Sequence, residues 1–154
     1  MRTSLLYGIA GGVIIGLLQF FSITSAPDGF VGGILYYSPL IVFFAVIYLS
    51  VKKTMTDPEA GFKTGLKAGV LTSFIAAFIW GIGFFNGLSH IDIATMVKVA
   101  VASRTPTKEI IDSLHQYNNQ VFFDRTKFWV IPNFLLGFVL SLVISLMQAR
   151  RKAA

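Results

Sequence analysis

The chain has no cysteine among its 154 residues, which excludes a disulfide, a thiolate nucleophile and a cysteine-ligated metal site. Charged residues are also few: Asp, Glu, Lys and Arg make up 13% of the chain, whereas hydrophobic residues make up 55%. The mean hydropathy of +0.71 is too high for a soluble domain of this size. The composition therefore indicates a protein that resides in the lipid bilayer.

Four stretches lack Asp, Glu, Lys, Arg and His completely, and each is 19 to 22 residues long. They are residues 5–23, 30–51, 68–88 and 128–147. A helix rises about 1.5 Å per residue, so each stretch matches the roughly 30 Å hydrocarbon core of a bilayer. A helix also satisfies its own backbone hydrogen bonds in lipid, whereas a barrel strand needs only about ten alternating residues. We therefore predict an all-α fold, a single domain over residues 1–154 that forms an integral membrane bundle of four transmembrane helices.

The first stretch has one alternative interpretation, a cleaved signal peptide, because Arg2 precedes it and small residues follow it at 24–26. Its apolar core is longer than that of a typical signal peptide, and Pro27 follows the only suitable cleavage point. We expect this stretch to be retained as a span.

Basic residues are unevenly divided between the two sides of the predicted bundle. The side with both termini and the 52–67 loop carries eight basic and two acidic residues, a net charge of +6. The other side carries five basic and five acidic residues. By the positive-inside rule the basic side is cytoplasmic, so we predict that both termini are cytoplasmic. This topology and attraction to anionic lipid explain the sequence pI of about 9.8, and we expect no nucleic-acid partner.

Small residues recur at every fourth position on three of the four predicted spans. The sets are Gly8, Gly12 and Gly16 on the first span, Gly61, Gly65, Gly69, Ser73 and Ala77 on the third, and Gly137, Ser141 and Ser145 on the fourth. This spacing places each set on one stripe of its helix, where two backbones can approach closely. We predict a glycine-zipper arrangement that packs spans one, three and four, with the bulkier span two leaning against them. The alternative is that glycine is simply common in membrane helices.

The segment before the third span carries a helix-start signal. Thr56 and Glu59 have the spacing of a capping box, and the alternative is Asp57 as N-cap with Pro58 in the first turn. We therefore predict that the third helix begins near residue 58, before the bilayer.

The second outer loop, residues 89–127, is the only long polar segment. It contains a candidate helix over 91–102 and, after Thr105, an amphipathic helix with apolar residues from Ile110 to Val121 along one side. We expect this amphipathic helix to rest on lipid headgroups. The alternative is that it covers the bundle mouth as a lid or serves as a docking surface.

Neutral polar side chains lie in the outer half of the predicted bundle. They are Gln19, Tyr37, Ser38, Asn86 and Asn133. Pro39 and Pro132 lie at similar depth and can kink their helices, so the polar residues are candidates to line a small cleft. The alternative is that they only bond neighbouring helices, each contributing about 1–2 kcal/mol or less.

No segment carries a catalytic or cofactor motif. His90 and His115 are the only histidines, and they are separated by 24 residues with no flanking ligand pattern. The glycines follow no predicted strand, so they do not form a phosphate-binding loop. We therefore predict no bound metal, no cofactor and no enzyme activity.

The start of the third span reads Gly61-Phe62-Lys63-Thr64-Gly65-Leu66-Lys67-Ala68-Gly69. Together with the basic start, the glycine-rich first span and the basic end, this motif resembles a family of small bacterial four-helix membrane proteins catalogued as a domain of unknown function. The resemblance covers nearly the whole chain, although the outer segment lacks the more acidic, Met- and Gln-rich helix of that family. It implies a location in the bacterial inner (cytoplasmic) membrane and assigns no functional residues.

These features favour a non-enzymatic structural or accessory membrane component that packs against a copy of itself or a membrane-complex partner through its small-residue helix faces and outer helices. The first alternative is a component of a small-solute or lipid carrier, built from several copies, that uses the neutral polar cleft. The second alternative is a membrane enzyme or cofactor-bearing subunit with His90 as a ligand.

Overall fold

The computed structural model of the protein describes residues 2–25, 29–89 and 108–153. Within these ranges it has no strand and four helices: α1, Arg2–Ser25; α2, Gly29–Thr54; α3, Phe62–Ser89; and α4, Lys108–Ala153. Each helix includes a segment long and apolar enough to cross a membrane, at Arg2–Thr24, Gly33–Thr54, Phe62–Phe84 and Trp129–Lys152. The prediction of an all-α, multi-pass membrane bundle is confirmed.

α3 is the central helix of the bundle. It packs along α1 and α4 and also contacts α2. Half of its membrane segment is buried, compared with 17% of the membrane segment of α4. Ala76 and Ala77 on α3 are almost completely buried, because their small side chains leave room for neighbouring helices to approach.

α2 supplies three of the largest completely buried side chains of the core. Phe43, Ile47 and Val51 are completely buried, and their spacing of four residues places them on one stripe of α2. They form a cluster with Ile15 of α1 and Trp80 of α3. α2 is therefore more than a helix leaning on the other three: its bulky side chains fill the space that the small residues of its neighbours leave open.

One end of the bundle collects the start of α1, the end of α2, the start of α3 and the end of α4. The Thr72 hydroxyl joins the first three, because it lies 3.1 Å from the Ser4 carbonyl oxygen and 2.7 Å from the Ser50 hydroxyl. The Lys152 ammonium group joins α4 to the same end, since it donates to two carbonyl oxygens of the α2–α3 loop. The four helices therefore alternate in direction, and the basic segments lie together.

The third helix begins later than the sequence predicted. The Thr56 hydroxyl donates back to a carbonyl oxygen in the last turn of α2 at 2.6 Å, so it closes α2 and does not cap α3. Asp57 Oδ1 accepts the backbone N–H of Glu59 at 3.1 Å, which forms a local turn. α3 then begins at Phe62. The predicted start near residue 58 is therefore wrong by about one helical turn.

α4 is 46 residues long and begins well before its membrane segment. Residues 108–127, where the sequence predicts an amphipathic helix, are helical and continue into the fourth span without a break. At about 1.5 Å per residue this extension is roughly 30 Å long. It is therefore the first part of a span-forming helix and not the separate helix that the sequence suggested. The candidate helix over 91–102 and the cap at Thr105 lie outside the described residues.

Candidate functional site in the bundle interior

Gln19, on α1, is the most buried of the predicted cleft residues, with 4% of its surface exposed. Its Oε1 atom accepts a hydrogen bond of 2.9 Å from Nε1 of Trp80 on α3, whose side chain is also buried. A buried indole N–H without an acceptor is unfavourable, and the hydrocarbon of a bilayer holds no water to replace one. The pair therefore satisfies the indole N–H and links α1 to α3.

Aromatic rings fill the interior around Trp80. The ring of Phe43 lies 5.6 Å from that of Trp80 between centroids, and the ring of Trp129 packs edge-on against Trp80 at 5.8 Å. Phe84 stacks on Trp129, with centroids 4.9 Å apart and an interplanar angle of 6°. These four residues, the aromatic cluster, bring α2, α3 and α4 together next to Gln19. They occupy the part of the bundle where the sequence predicted a cleft.

The other four predicted cleft residues lie in different surroundings. Tyr37 is 61% exposed on the outside of α2, and the Ser38 hydroxyl donates to a carbonyl oxygen of its own helix at 3.1 Å. Asn133 Nδ2 likewise donates to a carbonyl oxygen of α4 at 2.9 Å. Asn86 is exposed and lines a largely apolar groove of about 530 Å³ between α1 and α3. The polar side chains are thus spread over the interior, α2, α4 and the α1–α3 groove.

A second polar cluster, which the sequence analysis missed, lies at the basic end of the bundle. Thr72, Ser50 and Ser4 are completely or almost completely buried. The Thr72 hydroxyl has one proton and lies 2.9 Å from the Ala68 carbonyl oxygen and 3.1 Å from that of Ser4. It therefore donates to these carbonyls and accepts the proton of Ser50, at 2.7 Å. One hydroxyl thus connects three helices.

Serines also line the contact between α3 and α4. The hydroxyls of Ser73 and Ser141 lie 3.3 Å apart, and each is also within 2.7 Å of a carbonyl oxygen one turn earlier in its own helix. The Ser145 hydroxyl is buried and has no hydrogen-bond partner among the described residues. Ser73 and Ser141 therefore satisfy their hydroxyls mainly within their own helices, and the contact between them across the interface is the longer one.

Three glycines of α1, Gly8, Gly12 and Gly16, face α3, whereas Gly11 packs against Val46 of α2. A Cβ atom built on Gly8 would lie 2.9 Å from Ile75, and one built on Gly12 would lie 2.9 Å from Ile79. A Cβ atom on Gly16 would lie 3.3 Å from the carbonyl oxygen of Ile79. Side chains at these positions would hold the two helices further apart, so the missing Cβ atoms are what allows this approach.

Small residues of α3 and α4 are packed in a similar way. The contacts are Gly65 with Met55, Gly69 with Ser141 and Gly137 with Ser73, where an added Cβ atom would lie 2.5 to 2.6 Å from the neighbouring side chain. The other members of the predicted stripes, Ser73, Ala77, Ser141 and Ser145, are at most 1% exposed. Gly61 differs from the rest: it precedes α3, and an added Cβ atom would meet nothing within 4 Å. It is therefore not a packing position.

Metal ligation has no support in the described part of the chain, which contains no group of three His, Asp or Glu residues placed to hold an ion. His90 lies outside the described residues. His115 belongs to the part of α4 that precedes its membrane segment, residues 108–127, which we call the α4 extension.

The fold and its filled interior define a class, the multi-pass α-helical membrane proteins. A scan against models of protein families found no match to this chain, and searches of curated proteins and of solved structures found none either. The resemblance to small four-helix bacterial proteins stays a prediction.

Proposed function

We propose that the protein is a non-enzymatic structural or accessory component of a membrane, a packed four-helix unit that associates with a membrane-complex partner or with a second copy of itself. The observation that carries this proposal is the Gln19–Trp80 hydrogen bond inside the aromatic cluster. A carrier needs polar groups that a solute can reach, whereas this interior amide is engaged in holding two helices together.

Association with a partner uses surfaces other than the small-residue stripes. Gly12 and Gly137 both pack against α3 within the same chain, so their faces are already occupied. The α4 extension, residues 108–127, continues roughly 30 Å beyond the membrane segment of its helix. We therefore assign the partner contact to this extension.

The corresponding location is the bacterial inner membrane, which the resemblance to the four-helix family implies, and the positive-inside rule favours both termini in the cytoplasm. The supporting observation is that the basic loop and the ends of α1 and α4 share one end of the bundle. Because the chain has no cysteine, single-cysteine variants can be labelled without background. Gly61→Cys, at an exposed position, should react from the cytoplasmic side and Ile110→Cys from the opposite side. Labelling of both from one compartment would overturn this topology.

Native mass spectrometry after mild solubilisation tests the association itself. We expect a complex of defined stoichiometry that is lost when residues 108–120 are replaced by an unrelated helical sequence of the same length. The matched control is Lys52→Gln with Lys53→Gln, two exposed changes at the other end of the bundle, which should leave the complex intact. A chain that stays monomeric under all gentle conditions, or one that transports solute in liposomes, would contradict the proposal.

A further inference from the structure

Two apolar grooves meet on the lipid-facing side of α3. The first, of about 590 Å³, lies between α1 and α3, and its walls include Leu6, Ile9 and Ala10. The second, of about 460 Å³, lies between α3 and α4, and its walls include Phe74. Leu71 lines both grooves, so it forms the ridge between them.

A cation lies in each groove. Arg2 lines the first and Lys67 lines the second, and both side chains are exposed. Among the described residues neither has a hydrogen bond or an ion pair. All the other residues that line the two grooves have apolar side chains. Each groove therefore combines one unpaired positive charge with a hydrocarbon surface.

The helix directions bring the two charges to the same end of the bundle. α1 and α3 both start at the basic end of the bundle, and side chains on a helix lean towards its N-terminus. Arg2 and Lys67 therefore lean towards the headgroup region, where long basic side chains extend from a buried stem. Lys67 precedes Leu71 by four residues, so it lies on the same face of α3, one helical turn closer to the basic end of the bundle.

We propose that the two grooves bind one anionic phospholipid, with its phosphate between Arg2 and Lys67 and one acyl chain on each side of Leu71. Charge complementarity favours an anionic headgroup over a zwitterionic one. The apolar walls favour acyl chains over a soluble phosphate compound. This site lies at the opposite end of the bundle from the α4 extension, so it is independent of the partner contact proposed above.

The test is titration of the detergent-solubilised full chain with phosphatidylglycerol or phosphatidylcholine, with bound lipid counted by native mass spectrometry. We expect one phosphatidylglycerol to bind before any other lipid. A basic residue near an anionic surface contributes about fivefold in affinity, so the double variant Arg2→Gln with Lys67→Gln should bind about 30-fold more weakly. The matched control, Lys52→Gln with Lys53→Gln, removes two charges at the same end of the bundle but outside both grooves and should bind within about twofold of the parent.

A second variant tests the acyl-chain groove without changing charge. Ala10 is exposed and lines the first groove, so Ala10→Phe should fill the groove and displace lipid while the chain remains folded. Equal binding of phosphatidylcholine and phosphatidylglycerol would overturn the site, as would an equal loss in the lysine control, which would indicate diffuse surface charge. Competition by inorganic phosphate at the concentrations that lipid needs would instead identify a phosphate site without acyl-chain recognition. Unchanged binding by Ala10→Phe would also contradict the proposal.

Discussion

Replacing Gly83 by alanine tests the contact between α1 and α3 at its closest point. A Cβ atom on Gly83 would lie 2.7 Å from the carbonyl carbon of Gly16, and closer still to the Cα and oxygen atoms of that residue. These are backbone atoms, so no change of rotamer can relieve the overlap. The closest of these atoms set the requirement, so the helices must separate by about 1 Å to reach an ordinary contact of at least 3.4 Å.

The energetic cost follows from this separation. A gap of roughly 0.5–1 Å removes about a quarter to a half of each dispersion contact along the interface. Overpacking of this kind destabilises by about 1–3 kcal/mol, whereas the better helix propensity of alanine recovers at most about 1 kcal/mol. We therefore expect Gly83→Ala to lower the free energy of unfolding by about 1–2 kcal/mol.

Two other glycines provide matched controls. A Cβ atom on Gly16 would lie 3.3 Å from the Ile79 carbonyl oxygen, so Gly16→Ala requires a shift of only a few tenths of an ångström and should cost less than Gly83→Ala. A Cβ atom on Gly33, in α2, would meet nothing within 4 Å, so Gly33→Ala should be neutral or slightly stabilising.

The assay is equilibrium unfolding of the purified variants in micelles that mix a mild detergent with increasing SDS, followed by tryptophan fluorescence. The expected order of stability is Gly33→Ala, then Gly16→Ala, then Gly83→Ala. If Gly83→Ala were as stable as Gly33→Ala, the close approach of α1 and α3 would be refuted.

Three further predictions use the same assay or a related one. Gln19→Leu leaves the buried Trp80 indole N–H without its acceptor, so a double-mutant cycle with Trp80→Phe should give a coupling of about 1 kcal/mol. Thr72→Val keeps the side-chain volume but removes the hydroxyl that connects three helices, and it should destabilise by about 1–2 kcal/mol, whereas the same change at the exposed Thr64 should have little effect. Lys152→Gln should release the carbonyls of the α2–α3 loop and increase hydrogen exchange or proteolysis of residues 55–61 without unfolding the spans.

Each of these predictions has a result that contradicts it. A cycle coupling near zero would show that Gln19 and Trp80 do not interact. If Thr72→Val and Thr64→Val lowered the free energy of unfolding equally, the Thr72 hydroxyl would not connect three helices as described. Unchanged exchange of the loop in Lys152→Gln would mean that α4 does not hold it.

The sequence predicted where the spans lie better than which side chains meet. Residues 5–23 fall inside the observed membrane segment Arg2–Thr24, because apolar length is a property of one segment alone. The sequence marked Gln19 as a candidate cleft residue, but its partner Trp80 lies 61 residues away on another helix. A tryptophan in the middle of an apolar span was a usable signal, since its N–H favours an acceptor there, although the buried Nε1 of Trp129 has none among the described residues.

For the small-residue stripes, too, the sequence predicted the positions on each helix but not the contacts between helices. Spacing of four marked Gly69 and Ser141 as residues on packing faces, and only the structure shows that these two meet each other. Gly61 continues the same spacing yet lies before α3, because Thr56 bonds back to the last turn of α2 and Asp57 forms a local turn, so that α3 begins only at Phe62. A four-residue spacing of small residues identifies a packing face only for residues that lie within the helix.

By itself, the sequence determined that this protein is an all-helical chain with four membrane-crossing segments, because the transfer of a helix into lipid depends on the residues of that helix alone. Tertiary structure decided how the helices fit: Gly83 against Gly16, Trp80 against Gln19, and the bulky stripe of α2 in the space between its neighbours. These contacts depend on the rotation and separation of helices that are distant in sequence, which local composition does not specify.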